Sequence, residues 1–301
     1  MEKLKGDVKE IVENVPSHHG WQHILEVRRF AKALSGHDFY ASKVLEAASY
    51  LHDLRKWDDQ ELRARKIKVP WREKGADTDA KSVLREYKTE VRRDIFPFLE
   101  IRKEKRFWQN FVAYRNILEA VRDSGKLPSE TKEARETTKT LRDADRLARA
   151  GIEGLRSILE ANKDYGTPFH NPGGEIVMAK DAPMIPEDGI KSCVDDINFC
   201  AGDWERIMET DGGKVLMPIL DQVNHKFLEI FNQNSEITDY DVWIGWLESI
   251  LSRQKPERDE INAGLESGDF DRFIAGRTFL ENPDLLAQES FDSYRHSSGN
   301  L

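Results

Sequence analysis

One pattern recurs along nearly the whole 301-residue chain: apolar residues stand three or four positions apart, as on one face of an α-helix. It is clear after residue 20, where Ile24, Val27, Ala31 and Leu34 share such a face. No segment alternates apolar and polar residues convincingly, as a half-buried strand would. We therefore predict an all-α fold.

Glycine and proline divide this helical pattern into segments. The first residues form a charged amphipathic helix, and further helices are predicted at 77–101, 105–124, 130–150, 187–210 and 213–232. Residues 164–189 are rich in glycine and proline and lack a period. This composition is typical of a long loop, which is either a lid over a site or a plain surface excursion.

The composition changes after residue 235. From Glu236 to the end, 14 acidic and 6 basic residues give a local charge of −8, and Trp243 and Trp246 lie in an acidic helical stretch. We therefore divide the chain into a main domain at 1–235 and a C-terminal helical extension at 236–301. Three roles stay open for the extension: a homodimer interface, a docking surface for a partner, and a cap on the main domain.

The net charge of −9 disfavours a surface that binds polyanions in general. The segment 55–106 differs, because its 17 basic and 11 acidic residues give a local charge of +6. Such a run is either a solvated helix face or a rim that faces phosphate. No run of 18 apolar residues and no secretory signal occurs, so we expect a cytoplasmic protein without a membrane partner.

The stretch YLHDLRKWDD at 50–59 is unusual for a helix face. His52 and Asp53 follow directly on the apolar residues Ala48 and Leu51, where a packed face should continue. Neighbouring helical residues point about 100° apart, so both side chains reach one ion only at the edge of a helix. Imidazole and carboxylate are common ligands of divalent transition metals. The stretch is therefore either the polar face of a surface helix or part of a metal site.

A second carboxylate stands out in TLRDADRLARAG at 140–151. Asp145 lies between Ala144 and Leu147, so it flanks or interrupts an apolar face. A carboxylate in that position is costly unless it is paired or bound to a metal. Two interpretations stay open on these residues alone: an ion pair with a neighbouring arginine (Arg142, Arg146 or Arg149), and a metal ligand.

Taken in order, HGWQH at 19–23, YLHDLRK at 50–56 and DADRL at 143–147 resemble a known signature. The chain is similar over residues 10–235 to the HD-domain metal-dependent phosphohydrolase superfamily, and most to its stand-alone bacterial and archaeal members. That signature is a histidine, a His-Asp doublet on a later helix, and a distant aspartate. The resemblance implies an HD-type helical bundle with four metal ligands, His23, His52, Asp53 and Asp145.

The implied cofactor is one divalent transition metal: manganese, iron, nickel or cobalt, with magnesium or zinc also compatible. Some family members carry further histidines between the doublet and the last aspartate, which complete a two-metal site. This chain has no histidine between residues 53 and 145. We therefore expect a single ion.

The chain departs from the family pattern at three places. Gly20 stands where an aspartate usually precedes the tryptophan, and Glu26 stands where an arginine often follows the first histidine. Asn224 and His225 stand in place of an Arg-His pair. These changes are typical of a degenerate HD fold used as a binding or regulatory module, and the intact set of four ligands weighs against that alternative.

The resemblance implies hydrolysis of a phosphate ester or anhydride in a small phosphorylated molecule, and most members act on nucleotides. Asp53 would act in catalysis as a metal ligand. Lys56, one turn after His52, would contact a phosphate, unless it is only a surface lysine. Asp58 or Asp59 would position the attacking water, unless they only end a helix.

Three further residues are expected to bind substrate. His19 precedes His23 by four residues and so shares its helix face. Arg146 follows the last predicted ligand, although it would more often hold a carboxylate in place. His225 corresponds to the family's Arg-His helix, although its apolar neighbours, including Phe227, equally suit a core histidine.

A nuclease for single-stranded nucleic acid is the main alternative. Aromatic residues interrupt the basic segment 55–106, and base stacking beside cationic side chains is how single strands are held. Core packing explains the spacing of these aromatic residues equally well. The acidic net charge weighs against this alternative.

Overall fold

The structure is a computed structural model of the chain. It describes residues 2–12, 20–36, 38–53, 106–123, 134–171, 191–202, 204, 207–264 and 269–298. These residues form twelve α-helices and one 3₁₀ helix and contain no strand, so the predicted all-α fold is confirmed. In the same ranges, no helix is both long and apolar enough to cross a membrane.

The helices follow one another in this order: α1 (Glu2–Val12), α2 (Trp21–Leu34), α3 (Phe39–Leu51), α4 (Arg106–Asp123), α5 (Glu136–Leu147), α6 (Gly151–Tyr165), α7 (Cys193–Cys200), α8 (Asp211–Gln233), α9 (Tyr240–Arg253), α10 (Lys255–Gly264), α11 (Phe270–Leu280) and α12 (Gln288–Ser298). The 3₁₀ helix, Pro283–Leu286, lies between α11 and α12.

The chain forms two compact units, and the division falls between Asp145 and Arg146. In the first unit, α3 packs against α1, α2 and α4. After α2, Gly36 has a φ of 58°, which favours glycine. Asp38 then caps α3 by accepting a hydrogen bond from the amide of Ala41.

The second unit is built around α6, which packs against α7, α8 and α9. An aromatic cluster fills its core, with the rings of Trp243 and Phe291 stacked 4.5 Å apart and Trp246 edge-on to Phe291 at 5.0 Å. Phe231 on α8 lies 5.8 Å from Trp243. The acidic C-terminal stretch therefore buries Trp243, Trp246 and Phe291 inside this unit.

The compact units divide the chain differently from our sequence-based domains. The predicted boundary at 235/236 lies inside the second unit, and α9, which follows it, packs on α6, which precedes it. The reason is that the tryptophans of α9 complete a core begun by the phenylalanine of α8. The division into a catalytic domain and an extension remains a prediction about function.

Several helix ends differ from the predicted ones. Among the described residues of the helix predicted at 187–210, α7 is the α-helix. Helix α8 begins after Thr210, whose hydroxyl accepts from the amide of Gly213. The helix predicted at 130–150 ends at Leu147, before Gly151 with its φ of 77°. The helix predicted at 105–124 matches α4 closely. The helix predicted at 77–101 lies outside the described residues.

Candidate metal centre

The α2–α3 pair brings the start of one helix beside the end of the other. Trp21 stacks on Tyr50, and the rings of His23 and His52 are 5.6 Å apart. His23 is the third residue of α2, and His52 directly follows the last residue of α3. The sequence pattern that joined these two histidines therefore corresponds to a real juxtaposition.

Two carboxylates lie against the two imidazoles. The Oδ2 atom of Asp53 is 3.5 Å from His23 Nε2 and 3.3 Å from His52 Nε2. The Oδ1 atom of Asp145, on α5, is 3.1 Å from His23 Nε2 and 3.6 Å from His52 Nε2. All four side chains belong to the first unit, and each is buried.

The orientation of His52 is fixed by the end of α3. Its Nδ1 donates to the backbone carbonyl of Ser49 at 2.7 Å, which leaves Nε2 to face the carboxylates. Nε2 is buried, with Asp53 Oδ2 at 3.3 Å and Asp145 Oδ1 at 3.6 Å. In metal-binding histidines, the ring nitrogen that does not bind the metal usually donates to a carbonyl or carboxylate oxygen, as Nδ1 of His52 does here.

The electrostatics of the cluster favour a cation. Burial by itself lowers the pKa of His52, but the charges of Asp53 and Asp145 and hydrogen bonding to them raise it to about 10. The imidazole therefore holds a proton at neutral pH when nothing else supplies positive charge. A metal ion and this proton compete for the same nitrogen.

The distances fit ligands of one ion. Atoms that bind an ion at 2.0–2.2 Å are separated by about 3.0–3.6 Å in octahedral or tetrahedral geometry, which is the range found here. His23, His52 and Asp53 form a buried group that can hold a metal ion, with ligand atoms all within 4.8 Å of one another. Asp145 is not a member of this group, although its Oδ1 contacts both histidines. This set of nitrogen and oxygen donors does not select one metal, because affinity for such sites follows a common order.

Asp145 was predicted either to pair with an arginine or to bind a metal. It accepts a hydrogen bond from His23 in the structure, if Nε2 carries the proton. Arg142, fully buried, donates from Nε to the backbone carbonyl of Asp123 at 2.8 Å. This contact fastens α5 to the end of α4 and so helps to place Asp145.

Two predicted substrate residues belong to the second unit. Arg146 donates to the carbonyl of Ile207 at 2.5 Å and lies 3.8 Å from Glu209. His225 pairs with Asp221 on its own helix at 3.2 Å, and a third of its side chain is exposed. The hydrogen bond to Asp221 raises the pKa of His225. These contacts are those of structural residues, and substrate binding by either remains a prediction.

The other predicted site residues lie outside the described ranges. They are His19, Lys56, Asp58 and Asp59, together with the basic segment up to residue 105. Their roles remain predictions.

Two structural partners were not predicted from the sequence. The carbonyl of Ser49 orients His52, and every residue type offers such a group, so the sequence carries no signal for it. Asn224 is fully buried, and its Oδ1 accepts from the amide of Gly151 at 3.1 Å. We had aligned Asn224 only with a family arginine; in the structure it holds the start of α6.

No protein-family model matches this chain, and no curated protein sequence matches it. Among solved structures, one that matches is the crystal structure of a Lactobacillus plantarum protein, a Northeast Structural Genomics target. That protein is 16% identical, with a TM-score of 0.48, over 78% of this chain and 98% of the other. A likeness at this level carries no argument about function.

Proposed function

We propose that this protein is a metal-dependent phosphohydrolase that cleaves a phosphate ester or anhydride of a small molecule. The observation that supports this most is the convergence of His23, His52, Asp53 and Asp145. The resemblance of the sequence to HD phosphohydrolases implied these four ligands in advance. They come from three different helical segments, and the Nε2 atom of each histidine lies 3.1–3.6 Å from a carboxylate oxygen of Asp53 and of Asp145.

The four side chains would hold one divalent ion. Two neutral imidazoles and two carboxylates offset the charge of the ion, so the loaded cluster has no net charge. When bound, such an ion lowers the pKa of a water ligand and polarises a phosphoryl oxygen. Four protein ligands would leave two positions of a six-coordinate ion, or one of a five-coordinate ion, for water or substrate.

The chain's own residues would prepare the site. The Ser49 carbonyl fixes the tautomer of His52, so that Nε2 is offered to the ion. Burial excludes water from the ligand side, which strengthens the hold of the carboxylates on positive charge. Lys56 and either Asp58 or Asp59 are proposed to bind phosphate and position the attacking water, since they follow the ligand pair within six residues in the sequence.

Nucleotides are the proposed substrate class. This choice follows from the resemblance and from the local charge of +6 over residues 55–106, which suits a polyphosphate.

A panel assay tests the proposal. Manganese-loaded protein is incubated with nucleoside mono-, di- and triphosphates, and released phosphate and pyrophosphate are measured. We expect release from at least one nucleotide, loss of it in His52→Ala, and full retention in His296→Ala, whose histidine is exposed on α12.

Absence of release from every compound by protein with bound manganese would refute the proposal. A labelled single-stranded oligonucleotide belongs in the same panel, because cleavage of it alone would favour the nuclease. Protein that binds no metal would favour a regulatory module.

A further inference from the structure

Helices α2 and α3 lie antiparallel, and their side chains meet at two levels of the pair. His23, near the start of α2, faces His52 at the end of α3. Arg28, five residues further along α2, contacts Glu46, six residues back along α3. With a rise of about 1.5 Å per residue, the Arg28–Glu46 contact lies about 8 Å along the helix pair from the two histidines.

The contact between Arg28 and Glu46 joins the two helices through a charged hydrogen bond. Nε of Arg28 donates to Oε1 of Glu46 at 3.0 Å, and Nη2 lies 2.9 Å from the same oxygen. Lys43, which belongs to α3 itself, donates to Oε2 of Glu46 at 2.9 Å. Burial by itself raises the pKa of Glu46, but the charges of Arg28 and Lys43 and the hydrogen bonds from them hold it below its usual value. The carboxylate is therefore charged at neutral pH.

The candidate metal site is sensitive to sliding of α2 along α3. The Nε2 atoms of His23 and His52 lie 3.5 Å and 3.3 Å from one oxygen, Oδ2 of Asp53. Displacement of α2 by the rise of one residue moves His23 by about 1.5 Å. The groups of a functional site must be held to within about 0.5 Å of their working positions.

Apolar packing alone fixes this displacement poorly. Most buried residues of α2 and α3 are apolar, and the hydrophobic effect has no direction. A hydrogen bond between two charged groups is directional and short, so it sets the position of one helix along the other.

We propose that Glu46 is a positioning residue of the metal site. Its carboxylate, bound by Arg28 of α2, fixes the position of α2 along α3 and so the separation of His23 and His52. Glu46 acts through the helix pair and not as a ligand of the ion. This inference rests on the metal site of the proposed function and adds to it the residue that aligns the two histidines.

The two cations on this carboxylate provide a matched comparison. Arg28 and Lys43 have similar side-chain exposures, 26% and 33%, but Arg28 belongs to α2 and Lys43 to the same helix as Glu46. Arg28→Met and Lys43→Met therefore each remove one positive charge, and the first also removes the link between the helices. Manganese affinity is measured by calorimetry on metal-free protein that circular dichroism shows to be folded. We expect Arg28→Met to bind about tenfold more weakly than the parent protein, and Lys43→Met to bind as the parent does.

Two further variants separate positioning from stabilisation of the fold. Arg28→Lys keeps a cation that can reach the carboxylate, so it should retain most of the manganese affinity. Glu46→Gln keeps the size of the side chain without its charge, so it should bind manganese more weakly than Lys43→Met does. An ion pair that only stabilised the fold would lower the thermal midpoint of the metal-free variants and leave the affinity of the folded protein unchanged.

Equal manganese affinity in Arg28→Met and Lys43→Met would overturn the inference, whether or not both differ from the parent. Where Arg28→Met does not fold, equal affinity in Glu46→Gln and Lys43→Met would overturn it. A parent protein that binds no manganese would refute the metal site and this inference together. The expected order of affinities without hydrolysis of any nucleotide would refute the enzyme and support the positioning role.

Discussion

Asp145 and His23 are 122 positions apart in the chain, yet their Oδ1 and Nε2 atoms are 3.1 Å apart. An aspartate on an apolar helix face needs a cation or a hydrogen-bond donor beside it, because burial of an unpaired carboxylate is costly. For this reason the sequence marks Asp145 as a candidate site residue. The ordered family signature then favoured the metal over the arginines. Residue types and their order were enough to predict that these four side chains lie together, and their binding of a metal remains a prediction.

Asp145→Asn tests this residue as a ligand. The amide oxygen is a weaker donor and carries no charge, so we expect manganese affinity to fall by about one to two orders of magnitude. Metal-dependent thermal stabilisation should shrink with it. Asp284→Asn, at an exposed position before α12, is the control and should bind as the parent does. Unchanged affinity in Asp145→Asn would remove Asp145 from the ligand set.

His225 gives a pH dependence that separates a structural role from substrate binding. Asp221 raises the pKa of His225 above its unfolded value of about 6.5. The pair therefore stabilises the fold fully below that unfolded value and loses its effect as the pH rises through the folded pKa.

His225→Gln should thus destabilise the protein more at about pH 5.5 than at about pH 9.5, by a few tenths of a kcal/mol because the pair is partly exposed. Urea unfolding at the two pH values measures the difference. Equal destabilisation at both would mean that the pair contributes nothing, and a rise in KM without any stability change would favour substrate contact.

At the scale of helices, the start of α6 shows what the sequence could not indicate. The amide of Ile152 donates to Glu281, which lies 129 positions later, at 2.8 Å. Glu281 is 1% exposed and also lies near Arg277 at 3.3 Å and Arg258 at 3.6 Å. Acidic residues are abundant in this segment, and nothing local distinguishes the one that is buried.

Glu281→Ala should destabilise the protein strongly. The change leaves Arg277 and Arg258 buried without their shared carboxylate and the amide of Ile152 without its acceptor, at a cost of about 3–5 kcal/mol. Urea unfolding monitored by circular dichroism measures this loss. Glu289→Ala, exposed on α12, is the control and should change stability by less than about 0.5 kcal/mol. A small effect at Glu281 would contradict the buried network.

Helix type was easier to predict than helix ends. Continuous apolar spacing identified α2, α4 and α8, and α2 and α8 each bury one face along their length. The ends depend on single contacts, such as the hydrogen bond from the Gly213 amide to the Thr210 hydroxyl at the start of α8. A single capping residue is a weaker sequence signal than the apolar spacing of a whole helix, so the predicted ends are less accurate than the predicted helices.

At the scale of the whole molecule, the predicted boundary at 235 can be tested by truncation. A chain that ends at residue 235 loses Trp243, Trp246 and Phe291, all fully buried in the second unit. Removal of so much apolar surface should prevent cooperative folding of that unit. We expect aggregation or loss of the thermal transition, measured by calorimetry. A soluble, cooperatively folded fragment 1–235 would support the domain division of the sequence analysis.

The central claim is that four side chains of the first unit form one metal site. Equilibrium binding of manganese to metal-free protein, with the stoichiometry measured by elemental analysis after dialysis, tests it most directly. We predict one ion per chain in the parent protein and in His296→Ala, and none in His52→Ala at the same concentration. A folded parent protein that binds no divalent metal, or a His52→Ala variant that binds as tightly as the parent, would contradict the claim.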